Sequence, residues 1–248
     1  MIEHSLLKNI AHNSESPVRL IVFPFAGGSA NSFLNWQKDL KNISIVSVDI
    51  PRIDGKTYKS MTLLATEVTA EIEKLPQKTN IFFGHSMGAI LAYEVASIFF
   101  SKNLPLPVRI IVSGSAAPTH LRKKSLHKSS DGELREYLFR LGGIPQEVLD
   151  NNELMAIFLP FIRNDLEIIE TYQYETRPQL PIDLNIFWGT LEDNIFSALP
   201  WKDLFSKRAS ISKFNGNHFF IINQYNSVLK EIQHLTSFYI KSDLSPKT

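Results

Sequence analysis

Short runs of hydrophobic residues recur along the chain at intervals typical of alternating strands and helices. Most runs are continuous in Val, Ile and Phe, as expected for strands buried on both faces of a parallel sheet. The pattern predicts strands at 18–23, 43–50, 80–83, 108–113, 183–188 and 209–214. Helical segments are predicted at about 30–40, 61–74, 88–101, 197–206 and 223–240. Such alternation predicts an α/β fold with a mostly parallel, doubly wound sheet.

One interval, between residues 113 and 183, is far longer than an ordinary connection between parallel strands. It contains helical patterns at 131–141 and 151–172. Asp131 is the predicted N-cap of the first helix, and Gly142-Gly143 its predicted end. We expect a single domain over residues 1–248, with a helical lid inserted at about 116–182 above the carboxyl edge of the sheet. The alternative is a helical subdomain that only enlarges the core.

A Gly-x-Ser-x-Gly pattern follows the third predicted strand. The strand leads into Gly84-His85-Ser86-Met87-Gly88, and a segment without helix breakers comes next. A sharp strand-to-helix turn of this kind exposes the serine hydroxyl above the sheet, and the glycines avoid a steric clash. Ser86 is therefore the candidate nucleophile. The alternative is an ordinary strand–turn–helix in which Ser86 only caps the helix.

A serine nucleophile needs a base to remove its proton and a carboxylate to orient that base. On this type of sheet the acid follows a later strand and the histidine follows the last strand. His218 lies just after the last predicted strand, beyond the turn Asn215-Gly216-Asn217, so it is the candidate base. Two adjacent carboxylates, Glu192 and Asp193, follow the fifth predicted strand. The pattern alone does not decide between them.

Acyl transfer also needs N–H donors for the oxyanion of the tetrahedral intermediate. One donor in this fold is the amide after the nucleophile, here Met87, and the other comes from the loop after an earlier strand. That loop is Pro24-Phe25-Ala26-Gly27-Gly28, which makes Ala26 the second candidate. A phosphate-binding turn is the alternative for such a glycine-rich loop. However, the sequence has no Gly-x-Gly-x-x-Gly or Walker pattern.

Composition narrows the classes of function. The chain has 248 residues, of which 44% are hydrophobic, enough for one substantial core. A formal net charge of +1 gives no reason to expect nucleic acid or an anionic membrane as a partner. The absence of cysteine excludes disulfides, thiolate metal sites and a cysteine nucleophile, and fits a reducing compartment. The sequence shows neither a signal peptide nor a membrane span, so we expect a soluble cytoplasmic monomer.

With these features in place, the chain resembles the type II thioesterases, free-standing α/β-hydrolases that serve nonribosomal peptide and polyketide synthases. The resemblance extends from about residue 18 to about residue 235. It is carried by Phe23-Pro24-Phe25-Ala26-Gly27-Gly28-Ser29, Phe83-Gly84-His85-Ser86-Met87-Gly88-Ala89, Leu141-Gly142-Gly143-Ile144-Pro145, Glu170-Thr171-Tyr172 and Gly216-Asn217-His218-Phe219-Phe220. One segment differs: family members tend to have Leu-Pro-Gly-Arg where this chain has Ile50-Pro51-Arg52-Ile53-Asp54-Gly55. The difference changes a loop near the rim of the site.

The resemblance implies an α/β-hydrolase fold with Ser86 as nucleophile, His218 as base and Asp193 as the orienting acid. It also implies Ala26 and Met87 as oxyanion donors. The implied reaction is hydrolysis of acyl thioesters carried on the phosphopantetheine arm of acyl or peptidyl carrier proteins. It would proceed through an acyl-enzyme and serve to remove aberrant acyl groups or to release product. The resemblance implies no metal and no cofactor of the protein's own.

A basic docking surface is expected for such an enzyme, because carrier domains are typically acidic. Arg122-Lys123-Lys124 and His127-Lys128 are the candidates, with a solvated basic loop as the alternative. Two other functions remain possible at this stage. A carboxylesterase or lipase would use the same residues on free esters, and a non-catalytic binding module would retain only the fold.

Overall fold

The computed structural model describes residues 5–51, 57–122, 124–192 and 195–242. A seven-stranded sheet forms its centre. In chain order the strands are β1 (Leu7–Ala11), β2 (Val18–Phe23), β3 (Ser44–Val48), β4 (Thr79–His85), β5 (Arg109–Ser113), β6 (Asp183–Gly189) and β7 (Ala209–Phe214). Their order across the sheet is β1-β3-β2-β4-β5-β6-β7. β1 pairs antiparallel to β3, and every other neighbouring pair is parallel. The expected α/β fold with a mostly parallel sheet is confirmed.

The first strand is the one that the hydrophobic pattern did not predict. Only Ile10 of β1 is buried, and the strand lacks the continuous apolar run that marks the others. An antiparallel edge strand can leave most of its side chains in solvent, so its sequence carries little signal. The remaining six strands confirm the predictions, with small differences at their ends.

Helices pack on both faces of the sheet. The α-helices of the described residues are α1 (Trp36–Asp39), α2 (Met61–Glu73), α3 (Met87–Ser101), α4 (Asp131–Leu141), α5 (Gln146–Asp150), α6 (Asn152–Glu170), α7 (Phe220–Asn223) and α8 (Tyr225–Ser242). Alternate residues of β2 belong to different hydrophobic clusters. Ile21 and Phe23 pack with α2 and α3, whereas Leu20 and Val22 pack with α8 on the other face.

Two predicted helices take a different form. The segment at 30–40 is a 3-10 turn, Ala30–Phe33, followed by the short α1. The segment at 197–206 contains the 3-10 helix Leu199–Leu204. Both segments bury a tryptophan, Trp36 and Trp201 respectively. Trp36 packs against Phe83 of β4, and Trp201 packs against Tyr93 of α3. Tertiary packing of this kind overrides helix propensity.

Residues 114–182, called the insertion below, connect β5 to β6 and contain α4, α5 and α6. The prediction of Asp131 as the N-cap of α4 is wrong. Ser130 is the cap: its hydroxyl accepts the N–H of Glu133, whose carboxylate accepts the N–H of Ser130. Asp131 lies in the first turn, where a negative charge also stabilises the helix. Gly142 ends α4 with φ of +76°, as predicted.

The insertion lies above the carboxyl edge of the sheet. Its helices share a hydrophobic cluster, against which Ala26 of the loop after β2 also packs; the buried members are Leu134, Leu138, Leu149, Met155, Leu159, Ile162 and Leu166. In the part of the chain that the structure describes, no helix is both long enough and apolar enough to cross a membrane.

Candidate active site

The turn between β4 and α3 holds Ser86 in an unusual backbone conformation, with φ of +54° and ψ of −119°. Non-glycine residues rarely adopt such angles, and they do so mainly at functional sites. A Cβ on Gly84 would lie 2.2 Å from the carbonyl oxygen of Gly88, and one on Gly88 would lie 2.0 Å from that of Phe23. The predicted strand-to-helix turn is confirmed, and both glycines are required by the close backbone packing.

The half-buried Ser86 lines a cavity of about 260 Å³ beneath the insertion, together with Ala26 and Met87. α3 begins at Met87, so the Met87 N–H is one of the first-turn amides that have no partner within the helix. The amino end of a helix also favours negative charge. The structure therefore brings the predicted nucleophile and both predicted oxyanion donors to one cavity.

The loop that carries Ala26 is a tight turn. The N–H of Gly28 donates to the carbonyl oxygen of Phe25 at 2.8 Å, which places Ala26 and Gly27 at the centre of the turn. Gly27 has φ of +79°, as a type II turn requires at its third position. The Ala26 N–H takes no part in the hydrogen bond that closes such a turn, so it can serve a ligand.

The imidazole of His218 contacts a carboxylate, but of a different residue from the predicted one. Nδ1 of His218 lies 3.1 Å from Oε2 of Glu192, and the Glu192 side chain is only 9% exposed. Asp193 lies outside the described residues. The contact expected of Asp193 is thus made by Glu192, the alternative that the sequence left open. A carboxylate on Nδ1 fixes the tautomer in which Nε2 can accept a serine proton.

The acid and base loops interlock because they follow neighbouring parallel strands, β6 and β7. The N–H of Thr190 donates to the carbonyl oxygen of Phe214 at 2.8 Å, and that of Leu191 donates to Gly216 at 2.9 Å. A Cβ on Gly189 would lie 2.6 Å from the carbonyl oxygen of Asn217. This packing fixes the path of the acid loop relative to the base.

His85 supports the imidazole of His218 from the sheet side. The two ring centres are 5.0 Å apart, and Nδ1 of the fully buried His85 lies 2.9 Å from Oγ of Ser113. Burial holds the pKa of His85 well below its usual value, and the nearby His218 acts in the same direction. His85 is therefore a neutral packing residue near neutral pH.

The described residues show no hydrogen bond between the hydroxyl of Ser86 and the imidazole of His218. Such catalytic hydrogen bonds often tighten only when substrate is bound. His218 nevertheless lies near the turn that carries Ser86, because His85, the residue before Ser86, packs on the His218 ring.

The insertion contacts the loop that carries His218. A Cβ on Gly142 would lie 2.5 Å from Nδ2 of Asn217, and one on Gly143 would lie 2.2 Å from the ring of Phe219. The two glycines therefore pack against the residues on either side of the candidate base. This close approach explains why the segment Leu141-Gly142-Gly143 carries no larger side chain there.

The predicted basic surface is formed only in part. Arg122 and Lys124 line the same cavity as Ser86, and Lys128 is exposed; Lys123 lies outside the described residues. The His127 side chain does not contribute to this surface. Its Nδ1 lies 2.5 Å from Oε2 of Glu170, and the pair is almost fully buried.

A hydroxyl, an imidazole and a carboxylate beside two backbone N–H groups suit nucleophilic acyl transfer. Within the described ranges, no group of three or more His, Cys, Asp or Glu side chains could hold a metal ion. The sequence analysis did not identify the support from His85, nor Asp165 of α6, which accepts the N–H of Gly27 at 2.7 Å. Neither has a sequence signal, because both depend on tertiary contacts.

Comparison with known proteins agrees with this chemistry. The thioesterase domain family matches residues 18–236. The gramicidin S biosynthesis protein GrsT of Aneurinibacillus migulanus is 29% identical over 95% of this chain and 93% of its own length. The medium-chain S-acyl fatty acid synthase thioesterase of Homo sapiens is 32% identical over 88% of this chain and 86% of its own length.

Solved structures show the same relationship. RedJ, a thioesterase from the prodiginine biosynthetic pathway of Streptomyces coelicolor, superimposes with a TM-score of 0.83 and 31% identity. The match covers 88% of this chain and 90% of RedJ. The expected α/β-hydrolase fold and the resemblance to type II thioesterases are confirmed.

Proposed function

Since this chain belongs to the thioesterase domain family, we propose that it hydrolyses acyl thioesters carried on the phosphopantetheine arm of acyl or peptidyl carrier proteins. One observation carries the proposal: Ser86, on a strained turn, shares a cavity with Ala26 and Met87, and the His218 imidazole contacts the Glu192 carboxylate. In this proposal Ser86 is the nucleophile and His218 the base.

In the proposed reaction, the hydroxyl oxygen of Ser86 attacks the thioester carbonyl while His218 takes the hydroxyl proton. The N–H groups of Ala26 and Met87 bind the oxyanion of the tetrahedral intermediate. When the C–S bond breaks, His218 returns the proton to the leaving sulfur, which departs as the pantetheine thiol. Water then attacks the acyl-enzyme by the same route, and the acid is released. The Glu192 carboxylate stabilises the imidazolium in both stages.

The walls of the cavity support an acyl thioester as substrate. Leu126, Leu166 and Ile169 line it and provide apolar surface for an acyl chain. Arg122 and Lys124 also line it, where their positive charges suit the phosphate of the pantetheine arm or an acidic carrier surface. The relatives are named for gramicidin S biosynthesis and for fatty acid synthase, so peptidyl and acyl carriers are both candidates for the partner.

A comparison of substrates tests the proposal. Hydrolysis of an acyl carrier protein and of acyl-pantetheine is measured beside that of p-nitrophenyl esters, with Ser86→Ala and His218→Ala as controls. We expect a preference for the thioesters, and a loss of about three orders of magnitude in each variant with the fold retained. A strong preference for aryl esters would identify a carboxylesterase instead.

Covalent labelling tests the alternative of a non-catalytic module. A fluorophosphonate should modify Ser86 of the folded protein, because the reagent needs an activated serine. A chain that forms no adduct and hydrolyses none of these substrates would be a binding module. If hydrolysis is found, a panel of acyl chains on one carrier protein, ranked by rate, defines the acyl preference.

A further inference from the structure

Asp165 is a buried acidic residue that the proposed reaction does not use. It lies on α6 of the insertion and is only 1% exposed. Its Oδ2 accepts the backbone N–H of Gly27 at 2.7 Å. The contact joins the insertion to the loop that carries Ala26, the proposed oxyanion donor. A short bond from an N–H to a buried carboxylate is among the stronger hydrogen bonds of a protein.

A second contact packs the loop that carries Ala26 against α6. A Cβ on Gly27 would lie only 2.8 Å from Cγ1 of Ile162, which precedes Asp165 by one turn of α6. The far end of the loop is held from the sheet, where the N–H of Ala30 donates to Oδ1 of Asp49 at 2.9 Å. The sheet therefore fixes the end of the loop, and the insertion fixes its centre.

The position of the Ala26 N–H depends on these two contacts of Gly27 with α6. Ala26 and Gly27 are the two central residues of the turn, and the Gly27 N–H belongs to the peptide unit that joins them. A shift of that unit away from α6 would move the whole turn, including the Ala26 N–H, relative to the cavity. The bond to Asp165 opposes this shift, because the shift would take the Gly27 N–H donor away from a buried carboxylate.

We propose that Asp165 is a positioning residue: it holds the turn at 25–28 so that the Ala26 N–H points to the oxyanion. The inference rests on the proposed function, and Asp165 acts through the backbone of Gly27 rather than by touching the substrate. Oxyanion donors contribute to the transition state more than to ground-state binding. Loss of the Asp165 contact therefore lowers kcat and leaves KM nearly unchanged.

The test uses two variants of Asp165 that weaken the contact to different degrees. The control is a variant of Asn164, the preceding residue of α6. Asp165→Leu removes the acceptor and replaces the carboxylate with a larger apolar group branched at the same position, and Asp165→Asn keeps a neutral acceptor. Asn164→Ala removes a different contact of α6, the hydrogen bond from Nδ2 of Asn164 to the carbonyl oxygen of Tyr58 at 3.1 Å. We expect kcat to fall by about 10- to 100-fold in Asp165→Leu and about 3- to 10-fold in Asp165→Asn. Asn164→Ala should keep the wild-type kcat.

Several outcomes would overturn the inference. One is a wild-type kcat in Asp165→Leu, and another is an equal loss in Asn164→Ala, which would indicate a general effect on the insertion. If Asp165→Leu does not fold, a wild-type kcat in Asp165→Asn is sufficient to reject the inference. The series is measured on a thioester and on a p-nitrophenyl ester, since both form an oxyanion. Hydrolysis of the aryl ester alone would reject the proposed function and still allow Asp165 to be judged.

Discussion

At the scale of single residues, the contact of Glu192 with His218 follows from the path of the loop after β6. The backbone bonds of Thr190 and Leu191 to the strand and turn before His218 fix that path. The side chain at position 192 then reaches the imidazole. The sequence could place a carboxylate in this loop, but it could not choose between two neighbours, because the choice depends on these long-range bonds.

Substitution at the two neighbouring positions tests this assignment. Glu192→Gln should lower kcat/KM by about 10³- to 10⁴-fold, because an amide no longer stabilises the imidazolium or its tautomer. Asp193→Asn should keep kcat/KM within about threefold of the wild type, in line with ordinary loop substitutions. The reverse result would assign the acid to Asp193, as the family resemblance implied.

His85 gives the folded protein a defined response to acid. Its pKa lies well below the usual value, chiefly because the side chain is buried. Between about pH 6.5, where an unfolded histidine titrates, and the lower pKa of the folded state, the unfolded chain binds a proton that the folded chain does not. The free energy of unfolding therefore falls as the pH falls through this range.

Thermal or urea unfolding at pH 5 to 7 measures this contribution. His85→Gln should flatten the pH dependence of the free energy of unfolding, by up to about 1.4 kcal/mol per pH unit below pH 6.5. His234→Gln serves as the control, since His234 is exposed on α8 and should leave the slope unchanged. An unchanged slope in His85→Gln would mean that another group causes the acid sensitivity.

At the scale of elements, the sequence predicts best where local chemistry and packing agree. The strand-to-helix turn at Ser86 and the end of α4 at Gly142 could be predicted, because glycine is needed there for local backbone reasons. β1 could not be predicted, because an edge strand buries too little. The cap of α4 was missed by one residue, since Ser130 and Asp131 are both good capping residues.

Two glycines of the insertion offer a matched test of its contact with the base loop. Gly143→Ala should destabilise the protein by about 1–3 kcal/mol, because its Cβ would overlap the ring of Phe219. Gly132→Ala should be neutral or stabilise by up to about 1 kcal/mol, since its Cβ meets no atom within 4 Å and it lies in α4. Unfolding in urea measures both. Equal effects would show that the contact with Phe219 is unimportant.

At the scale of the whole molecule, the net charge is small, but positive side chains lie together at one face. The formal net charge is only +1, yet Arg122 and Lys124 are both exposed at the cavity that contains Ser86. Composition alone could not reveal this local arrangement, because it depends on how the insertion folds back over the sheet. A positive rim on a nearly neutral protein favours an acidic partner at that face.

Charge reversal tests the role of this rim. Arg122→Glu and Lys124→Glu should each raise KM for an acyl carrier protein by about 3- to 10-fold at low salt, with a smaller effect at high salt. Hydrolysis of acyl-N-acetylcysteamine, which has no phosphate, should change little. Lys207→Glu is the control, because Lys207 is exposed just before β7, at the opposite edge of the sheet. Equal effects on both substrates would exclude a docking role.

The contact of Gly142 and Gly143 with the residues beside His218 also has a kinetic consequence. An opening of the insertion wide enough to admit a bulky acyl chain would separate these residues and remove one wall of the base loop. Such an open state would admit a substrate without being able to cleave it. Cleavage would then require the insertion to close again. Acyl carriers that dissociate before closure would keep their acyl group, and those that stay bound longer would be hydrolysed. Substrates would thus be selected by the time that they stay bound, without recognition of the acyl structure itself.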